Sequence, residues 1–352
     1  MAKKIVLLTV VLGVVLAAMN YERIFGMFEK PSRTVNEVEV KILLKEDPTF
    51  VFLLEELKGK GVLENIAEAR DVAKEIELDT NNLAGGKFVI LSGSFVKDVL
   101  KGFEKDETGK GRSEQLVNVY FNNCRDIEDV SKNISTCIAA DSTSLSEYIL
   151  NPETLEKYGF SLKQMPAMFL PKQYEMEFDT DAEEFVAIMA GKFKEFWTEE
   201  RLQKLRDVGL NYPSQAVTVA SIVYSEQSTK KEEWPIIAKL YLNRLKKGMK
   251  LQSDPTFKFC WGDELEGVER LTFKHRDIDC EYNTYKINGL PPGPICITPA
   301  SVVDAVLNPA DVNYLFMCAK PDYSKEHNFT ASDREHINNA NAYQRWLSAQ
   351  GK

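Results

Sequence analysis

The sequence has no C-x-x-C pair, few histidines and no surplus of basic residues, and each absence excludes a class of function. The six cysteines and three histidines show none of the spacings that hold a structural zinc ion. The formal net charge of −9 disfavours a nucleic-acid partner, because such partners are held by lysine and arginine. We therefore expect no metal, no cofactor and no nucleic acid.

The chain also has few long apolar runs; the clear one is Ile5 to Met19, directly after Lys3 and Lys4. With 44% hydrophobic and 28% charged residues, the rest of the chain is typical of a globular protein. Basic residues ahead of an apolar run at the N-terminus are typical of export, with the lysines on the cytoplasmic side. We predict that residues 1–24 form an uncleaved membrane anchor; a cleaved signal and a buried helix are the alternatives.

The cysteines have two interpretations. They are small core residues, or, in an exported chain, Cys124 and Cys137 form a disulfide. The sequence does not decide between these alternatives.

The length predicts about two domains. In residues 25–138, strands are predicted at 38–42 and 87–91, and helices at 50–58 and 64–75. This strand–helix–helix–strand order resembles the LysM carbohydrate-binding module. A packing domain that only spaces the next region from the membrane is the alternative.

Helices are predicted to follow from residue 139 onward. Thr180 and Glu183 stand at the spacing of a capping box, ahead of a helix that extends to about Trp197. Its aromatic residues face one side and are interpreted as core.

The stretch that ends at Glu226 carries the main chemical signal. Gln215 to Gln227 is predicted to be a helix in which Ile222, Val223 and Glu226 share one face, so the carboxylate points to the interior. Burial and the negative end of the helix dipole should raise the pKa of Glu226. An acid that stays protonated near neutral pH suits glycosidic-bond cleavage. An ion pair with Lys230 is the alternative.

Five motifs follow one another between residues 216 and 329: ASIV-x-x-E, NRL-x-x-G-M-x-LQ-x-DPT, YNTY, GLPPGPI and His327-Asn328-Phe329. In this order they make the chain similar to the endolytic murein transglycosylase family, the MltG or YceG-like proteins. The resemblance implies an α+β fold in three parts. These are an anchor at 1–24, a LysM-like α/β region at 25–138, and a mainly helical, lysozyme-like catalytic domain with a few strands at 139–352.

The resemblance also implies a reaction. Such enzymes cut peptidoglycan strands internally, between N-acetylmuramic acid and N-acetylglucosamine, and leave a 1,6-anhydro end. An ordinary glycosidase needs two carboxylates, whereas here the C6 hydroxyl of muramic acid attacks, so one carboxylate suffices. Glu226 would protonate the leaving oxygen and then deprotonate that hydroxyl.

The location and partners are implied in the same way. The resemblance implies an inner-membrane protein whose catalytic domain is extracytoplasmic and whose substrate is peptidoglycan glycan strands. Peptidoglycan synthases are the candidate protein partners.

Further motif residues are predicted to bind substrate. Amides and hydroxyls would bind sugar groups, an arginine would bind a carboxylate of the substrate, and a proline-rich wall would line the groove. Each has a structural alternative, such as a loop staple for the amides, an Asx turn for Asp254 or a purely structural turn for the proline-rich motif. For His327 a surface or core position is favoured over the groove. The predicted substrate-binding residues are Asn243, Arg244, Gln252, Asp254, Tyr282, Asn283, Tyr285, Leu290 and Gly293.

One motif position departs from the family. Many relatives carry a second acidic residue two positions before the final glutamate, where this chain has Tyr224. A non-catalytic peptidoglycan-binding scaffold is therefore one alternative function. A hydrolytic muramidase that uses Glu226 with Asp254 is another.

Overall fold

The computed structural model describes residues 32–351 apart from 45–46, 108, 110, 112–115 and 266–272. The predicted anchor at residues 1–24 lies outside the described residues. Helices and short antiparallel strand pairs make up the described chain, as predicted for an α+β protein. The chain divides into two compact units, Met1–Gln115 and Leu116–Lys352. No helix in the described part is long and apolar enough to span a bilayer.

The described residues of the first unit form a two-stranded sheet and three helices. The strands pair in antiparallel fashion, with Val40 opposite Ile90, and Thr49 and Asn65 cap the first two helices. The predicted order of strand, helix, helix and strand is confirmed, while its likeness to a carbohydrate-binding module stays a prediction. The elements are β1 (Val40–Leu44), α1 (Phe50–Gly59), α2 (Ile66–Glu75), β2 (Gly86–Ile90) and α3 (Val96–Gly102).

The second unit is mainly helical and contains two short antiparallel strand pairs, β3 with β4 and β5 with β6. The strands are β3 (Leu116–Tyr120), β4 (Gln173–Glu177), β5 (Phe316–Ala319) and β6 (His327–Thr330). The helices before the central one are α4 (Ile127–Ile134), α5 (Ser142–Leu150), α6 (Pro152–Tyr158), α7 (Ala182–Phe196) and α8 (Glu199–Asp207). The remaining helices are α9 (Pro213–Glu226), α10 (Trp234–Lys246), α11 (Asp254–Trp261), α12 (Phe273–Arg276), α13 (Ala300–Leu307) and α14 (Asp333–Ala349).

The boundary between the units lies before β3. The sequence prediction placed residues up to 138 with the first region, but β3 pairs with β4, and Val117 lies opposite Met176. A strand whose partner is more than 50 residues away leaves no mark on the local pattern. The segment 116–138 therefore belongs with the second unit.

Two local predictions need correction. The capping box forms one position later than predicted, between Asp181 and Glu184, whose side chains each accept a hydrogen bond from the other's backbone N–H. Aspartate is a better N-cap than threonine. A turn was the structural alternative at Asp254, but this residue begins helix α11, and Pro255 occupies the first turn of that helix, where proline is well tolerated.

The disulfide joins Cys260 to Cys280. Cys124 and Cys137 are free, so of the two interpretations of these cysteines the Cys124–Cys137 bond is wrong. Cys124 is buried in the core of the second unit, as the alternative interpretation proposed.

Removal of the disulfide should lower the unfolding midpoint. In the double variant Cys260→Ser/Cys280→Ser, the unfolded chain regains the freedom that a bond across 20 residues removes, about 3 kcal/mol. Thermal unfolding without reductant measures the effect. Cys137→Ser, at a half-buried free cysteine, is the control and should unfold like the wild type. Equal stability of the double variant and the wild type would contradict the prediction.

Candidate active site

Helix α9 is the central helix of the second unit. Its residues from Ala216 to Val223 are all buried, and it packs against α10, α11 and α13. The helix is thus more deeply enclosed than the single apolar stripe of the sequence predicted. Its last residue, Glu226, lies on the wall of a cavity of about 420 Å³.

The carboxylate of Glu226 is held through one oxygen. Oε1 accepts a hydrogen bond from the Tyr241 hydroxyl at 2.7 Å and another from the Ser253 hydroxyl at 2.5 Å. No described residue donates to Oε2. Oε1 can therefore serve as the carbonyl oxygen of a protonated acid whose proton sits on Oε2, facing the cavity.

The hydroxyl of Ser253 binds Glu226 instead of capping a helix. Ser253 is the N-cap residue of α11, but its side chain makes no capping hydrogen bond and binds Glu226 instead. Serine is favoured at this position because its oxygen usually accepts from the first helical N–H groups. The helix therefore begins without its usual side-chain cap, and the hydroxyl serves the site.

Burial raises the pKa of Glu226, because the charged form loses its hydration. The hydrogen bonds from Ser253 and Tyr241 oppose this shift, and the nearby Asp254 charge reinforces it. The net direction is the one expected from the sequence. Lys230 pairs with Glu326 at 3.5 Å, so the alternative, a helix-end ion pair with Glu226, does not form.

Four of the predicted substrate-binding residues line the same cavity as Glu226: Arg244, Gln252, Asp254 and Tyr285. Asp254 and Tyr285 are joined, because the Tyr285 hydroxyl donates to Asp254 Oδ1 at 2.6 Å. The Asx-turn alternative at Asp254 is replaced by a helix start and a bond across the cavity wall.

Arg244 brings a positive charge to the cavity wall although only 7% of the residue is exposed. Its Nε donates to the Leu315 carbonyl at 2.6 Å and its Nη1 to the Leu251 carbonyl at 2.7 Å. Burial lowers the pKa of Arg244. No carboxylate of the described residues forms an ion pair with it, so its charge is available to a substrate carboxylate.

Gln252 has a strained backbone. Its φ of +50° lies in the left-handed region, which residues with a Cβ rarely adopt and which is enriched at functional sites. The backbone is held there by the bond from Gln252 N to the Thr284 carbonyl at 3.2 Å. The exposed side chain lines the cavity and presents an amide to it.

The other predicted residues have structural tasks. Asn243 Nδ2 donates to the carbonyls of Val312 and Tyr314, both at 3.1 Å. Asn283 is fully buried, and its amide donates to two loop carbonyls at 2.9 and 2.8 Å. Both amides are loop staples, the alternative that the sequence left open.

The remaining three residues serve packing. The Tyr282 ring packs against Phe259 with centroids 4.7 Å apart, and Leu290 packs against the core that surrounds α9. Gly293 is in close contact with backbone, because a Cβ placed there would lie 1.8 Å from the Lys163 carbonyl oxygen. The proline-rich motif therefore fits against the protein rather than lining this cavity.

Several residues of the site were not predicted. Tyr241 and Ser253 hold Glu226, and His327 lines the cavity with its Nδ1 at 2.7 Å from Glu233 Oε2. For His327 the structure replaces the expected surface or core position. Arg276 and His336 complete the polar wall. The described residues hold no cluster of potential metal ligands.

Tyr224 lies outside this cavity. Its hydroxyl reaches Asn123 Oδ1 at 3.5 Å, and its ring meets Trp234 edge-on at 6.3 Å. The departure from the family at this position therefore leaves the surroundings of the Glu226 carboxylate intact.

A larger cavity of about 720 Å³ lies elsewhere in the second unit. Aromatic residues and two lysines contribute to its walls, which contain no carboxylate. Acid–base chemistry therefore favours the smaller Glu226 cavity as the active site.

Residues 42–342 match the YceG-like family. A protein of Bacillus subtilis (strain 168) named endolytic murein transglycosylase is 40% identical over 120 residues, which are 34% of this chain and 32% of that protein. A protein of the same name from Streptococcus pneumoniae serotype 2 (strain D39) is 21% identical over 261 residues, 68% of this chain and 47% of that protein. The chain thus spans less than half the length of these relatives.

A solved structure has the same fold. The crystal structure of a putative yceG-like protein from Listeria monocytogenes matches 86% of this chain and 99% of its own chain, with a TM-score of 0.56 and 22% identity.

Gly293→Ala should strongly destabilise the protein, because the new methyl group would overlap the backbone of Lys163. Gly191→Ala is the control: Gly191 lies inside α7 with nothing within 4 Å of the added Cβ. There alanine should be neutral or slightly stabilising. Thermal unfolding compares them, and equal midpoints would contradict the close contact at Gly293.

Glu226→Gln should make the protein more stable at neutral pH. The pKa of Glu226 is raised in the native state, so the stability that Glu226 contributes is greatest below its unfolded pKa of about 4.3 and is lost as pH rises through the native pKa. Glutamine does not titrate and keeps an oxygen for Tyr241 and Ser253. We expect an unfolding midpoint higher by a few degrees at neutral pH.

Thermal unfolding between acidic and neutral pH measures this difference. Glu175→Gln, at an exposed position on β4, is the control and should keep the wild-type pH profile. A Glu226→Gln profile parallel to that of the wild type would contradict a raised native pKa.

Proposed function

The chain belongs to the YceG-like family, and on that premise we propose that it is a lytic transglycosylase that cuts peptidoglycan glycan strands internally. The cut falls between N-acetylmuramic acid and N-acetylglucosamine and leaves a 1,6-anhydromuramic acid end. The names of the relatives support the substrate class. The observation that carries the proposal is the cavity acid Glu226, whose raised pKa and open Oε2 suit a proton donor.

In the first step, Glu226 Oε2 gives its proton to the oxygen that bridges the two sugars, and the bond from that oxygen to C1 breaks. Tyr241 and Ser253 fix the acid in position through Oε1. Positioned proton donation of this kind contributes about 10²–10⁴-fold to rate. The protonated form that the step requires is the form that burial favours.

In the second step, the muramic acid C6 oxygen bonds to C1 and its hydroxyl proton is released. That proton restores Glu226 to its acid form, so no water is consumed. A second carboxylate is not required, because the nucleophile belongs to the substrate. Asp254, whose Oδ1 accepts from the Tyr285 hydroxyl, supports the wall of the cavity.

Substrate binding falls to the residues that share the cavity with Glu226. The Gln252 amide and the Tyr285 hydroxyl bind sugar hydroxyl and N-acetyl groups. Arg244, a buried cation that no described carboxylate pairs with, binds a carboxylate of the muramic acid side chain or its peptide.

A hydrolytic muramidase is the second candidate function, and one observation favours it. Asp254 lines the cavity together with Glu226, so two carboxylates face the same space, as hydrolysis requires. The scaffold alternative rested on Tyr224, which lies outside the cavity.

The membrane location is part of the proposal. The two lysines and the apolar run of residues 1–24 support an anchor, with the second unit on the extracytoplasmic side. The first unit, by its order of elements, is proposed to bind glycan.

Glu226→Gln should abolish release of anhydromuropeptides from purified sacculi, with kcat lower by about 10²-fold or more. Mass spectrometry of the soluble products measures this, and the higher stability expected of the variant separates lost chemistry from lost folding. Tyr224→Phe is the control and should keep activity, since Tyr224 lies outside the cavity. Activity that survives Glu226→Gln would remove Glu226 from the mechanism.

A further inference from the structure

His327, on β6, lines the Glu226 cavity and has no task in the reaction so far. It is held firmly by Glu233. The His327 backbone N donates to Glu233 Oε1 at 2.8 Å, and its ring Nδ1 lies 2.7 Å from Glu233 Oε2. The Glu233 carboxylate thus fixes both the β6 backbone at His327 and the His327 ring.

Glu233 is itself buried, with 6% of the residue exposed. Its Oε2 also accepts from Gln227 Nε2 at 3.0 Å. Gln227 directly follows Glu226 and is anchored in turn, because Trp234 Nε1 donates to its carbonyl at 2.6 Å. A continuous network thus joins the end of α9 to the imidazole of His327.

The network selects one form of the ring. Glu233 accepts from Gln227 Nε2 and from the His327 backbone N–H, so this carboxylate serves as an acceptor, and a neutral imidazole that donates to Glu233 Oε2 carries its proton on Nδ1. The lone pair is then on Nε2, which has no hydrogen-bond partner among the described residues. The side chain keeps 15% exposure, and Nε2 is the ring nitrogen left for a ligand in the cavity.

We propose that His327 is the catalytic base of this reaction and that Glu233 is its positioning residue; the inference rests on the proposed function. His327 Nε2 takes the proton of the muramic acid C6 hydroxyl as the C6 oxygen bonds to C1. Glu226 gives its proton to the leaving oxygen as the bond from that oxygen to C1 breaks. The proton on His327 then passes through the cavity to Glu226, and both groups regain their starting forms.

The geometry gives a reason for two proton carriers. Oε1 of Glu226 is occupied by Tyr241 and Ser253, so Oε2 alone would have to give one proton before it could take another. A neutral imidazole beside a protonated carboxylic acid supplies base and acid at the same time. The two transfers can then overlap in one transition state.

The pH dependence follows from the groups around the ring. The reaction requires neutral His327 and protonated Glu226, so activity declines at both acidic and alkaline pH. The charged and titratable groups around His327 on the cavity wall are Glu226, Tyr241, Arg244, Asp254, Arg276, Tyr285, Cys318 and His336. The neighbouring segments add Lys230, Glu233, Lys320, Lys325 and Glu326, and the start of α14, which packs against β6, adds Asp333, Arg334 and Glu335.

The test is the pH profile of anhydromuropeptide release by the full chain, compared with His327→Gln and Glu233→Gln. His327→Gln should lower kcat by about 10²-fold or more, leave KM nearly unchanged and lose the decline at acidic pH. Glu233→Gln should lower kcat less, with KM again nearly unchanged, because it loosens the ring of the base without removing it. Circular dichroism and thermal unfolding of each variant establish that it is folded.

His275→Gln is the matched control. His275 lies outside the cavity, with its ring 6.0 Å from that of Trp261, and its substitution should leave the profile unchanged. If folded His327→Gln keeps kcat within about twofold of the wild type, or keeps the acidic decline, the base role is overturned. A His327 that only braces β6 would give that result.

A second measurement needs no substrate. Nitrogen-15 NMR of the histidine rings should find His327 in the Nδ1–H form, and the Nε2–H form would overturn the proposal. The proposed function and the role of His327 are rejected by different results. A wild type that releases no anhydro ends rejects the proposed function and this role with it, whereas a wild type that releases them alongside an unaffected His327→Gln rejects the role alone.

Discussion

The site depends on two hydrogen bonds to one oxygen of Glu226. Glu226 ends a helix whose residues from Ala216 to Val223 are all buried, and a buried carboxylate without partners is strongly destabilising. Tyr241, from α10, and Ser253, from the start of α11, satisfy Oε1 and leave Oε2 to the cavity. Helices α9, α10 and α11 must therefore be packed together before Glu226 is held in this position. The chemistry of the site thus depends on the core around α9.

The sequence predicts what depends on local periodicity. The position of Glu226 at the end of an apolar helix follows from residues within a few turns, and the helix predicted at 50–58 is present as α1. Contacts between distant residues were not predictable in this way. The donors to Glu226, the pairing of β3 with β4 and the bond between Cys260 and Cys280 all join segments that carry no mutual mark in the sequence.

Some motif residues line the cavity and others only hold the loops in place, and the motif alone does not show which do which. Asn283 and Tyr285 are two positions apart, yet the Asn283 amide staples the loop while Tyr285 lines the cavity. Gly293 similarly allows backbone to approach backbone. Thr284, between Asn283 and Tyr285, holds the strained Gln252 and the uncapped start of α11 in place, because its carbonyl accepts from Gln252 N and its hydroxyl from Ser253 N. The strained backbone of Gln252 and the missing cap of α11 each cost stability at the cavity, and the surrounding packing offsets that cost.

The central claim is that the substrate's own hydroxyl, rather than water, receives the bond to C1 when Glu226 acts. Digestion of purified sacculi by the full chain in water enriched in oxygen-18, followed by mass spectrometry of the muramic acid ends, tests this claim most directly. The account predicts 1,6-anhydro ends that carry no oxygen-18. Reducing muramic acid ends that carry the label would contradict it and favour hydrolysis with Asp254 as the second carboxylate.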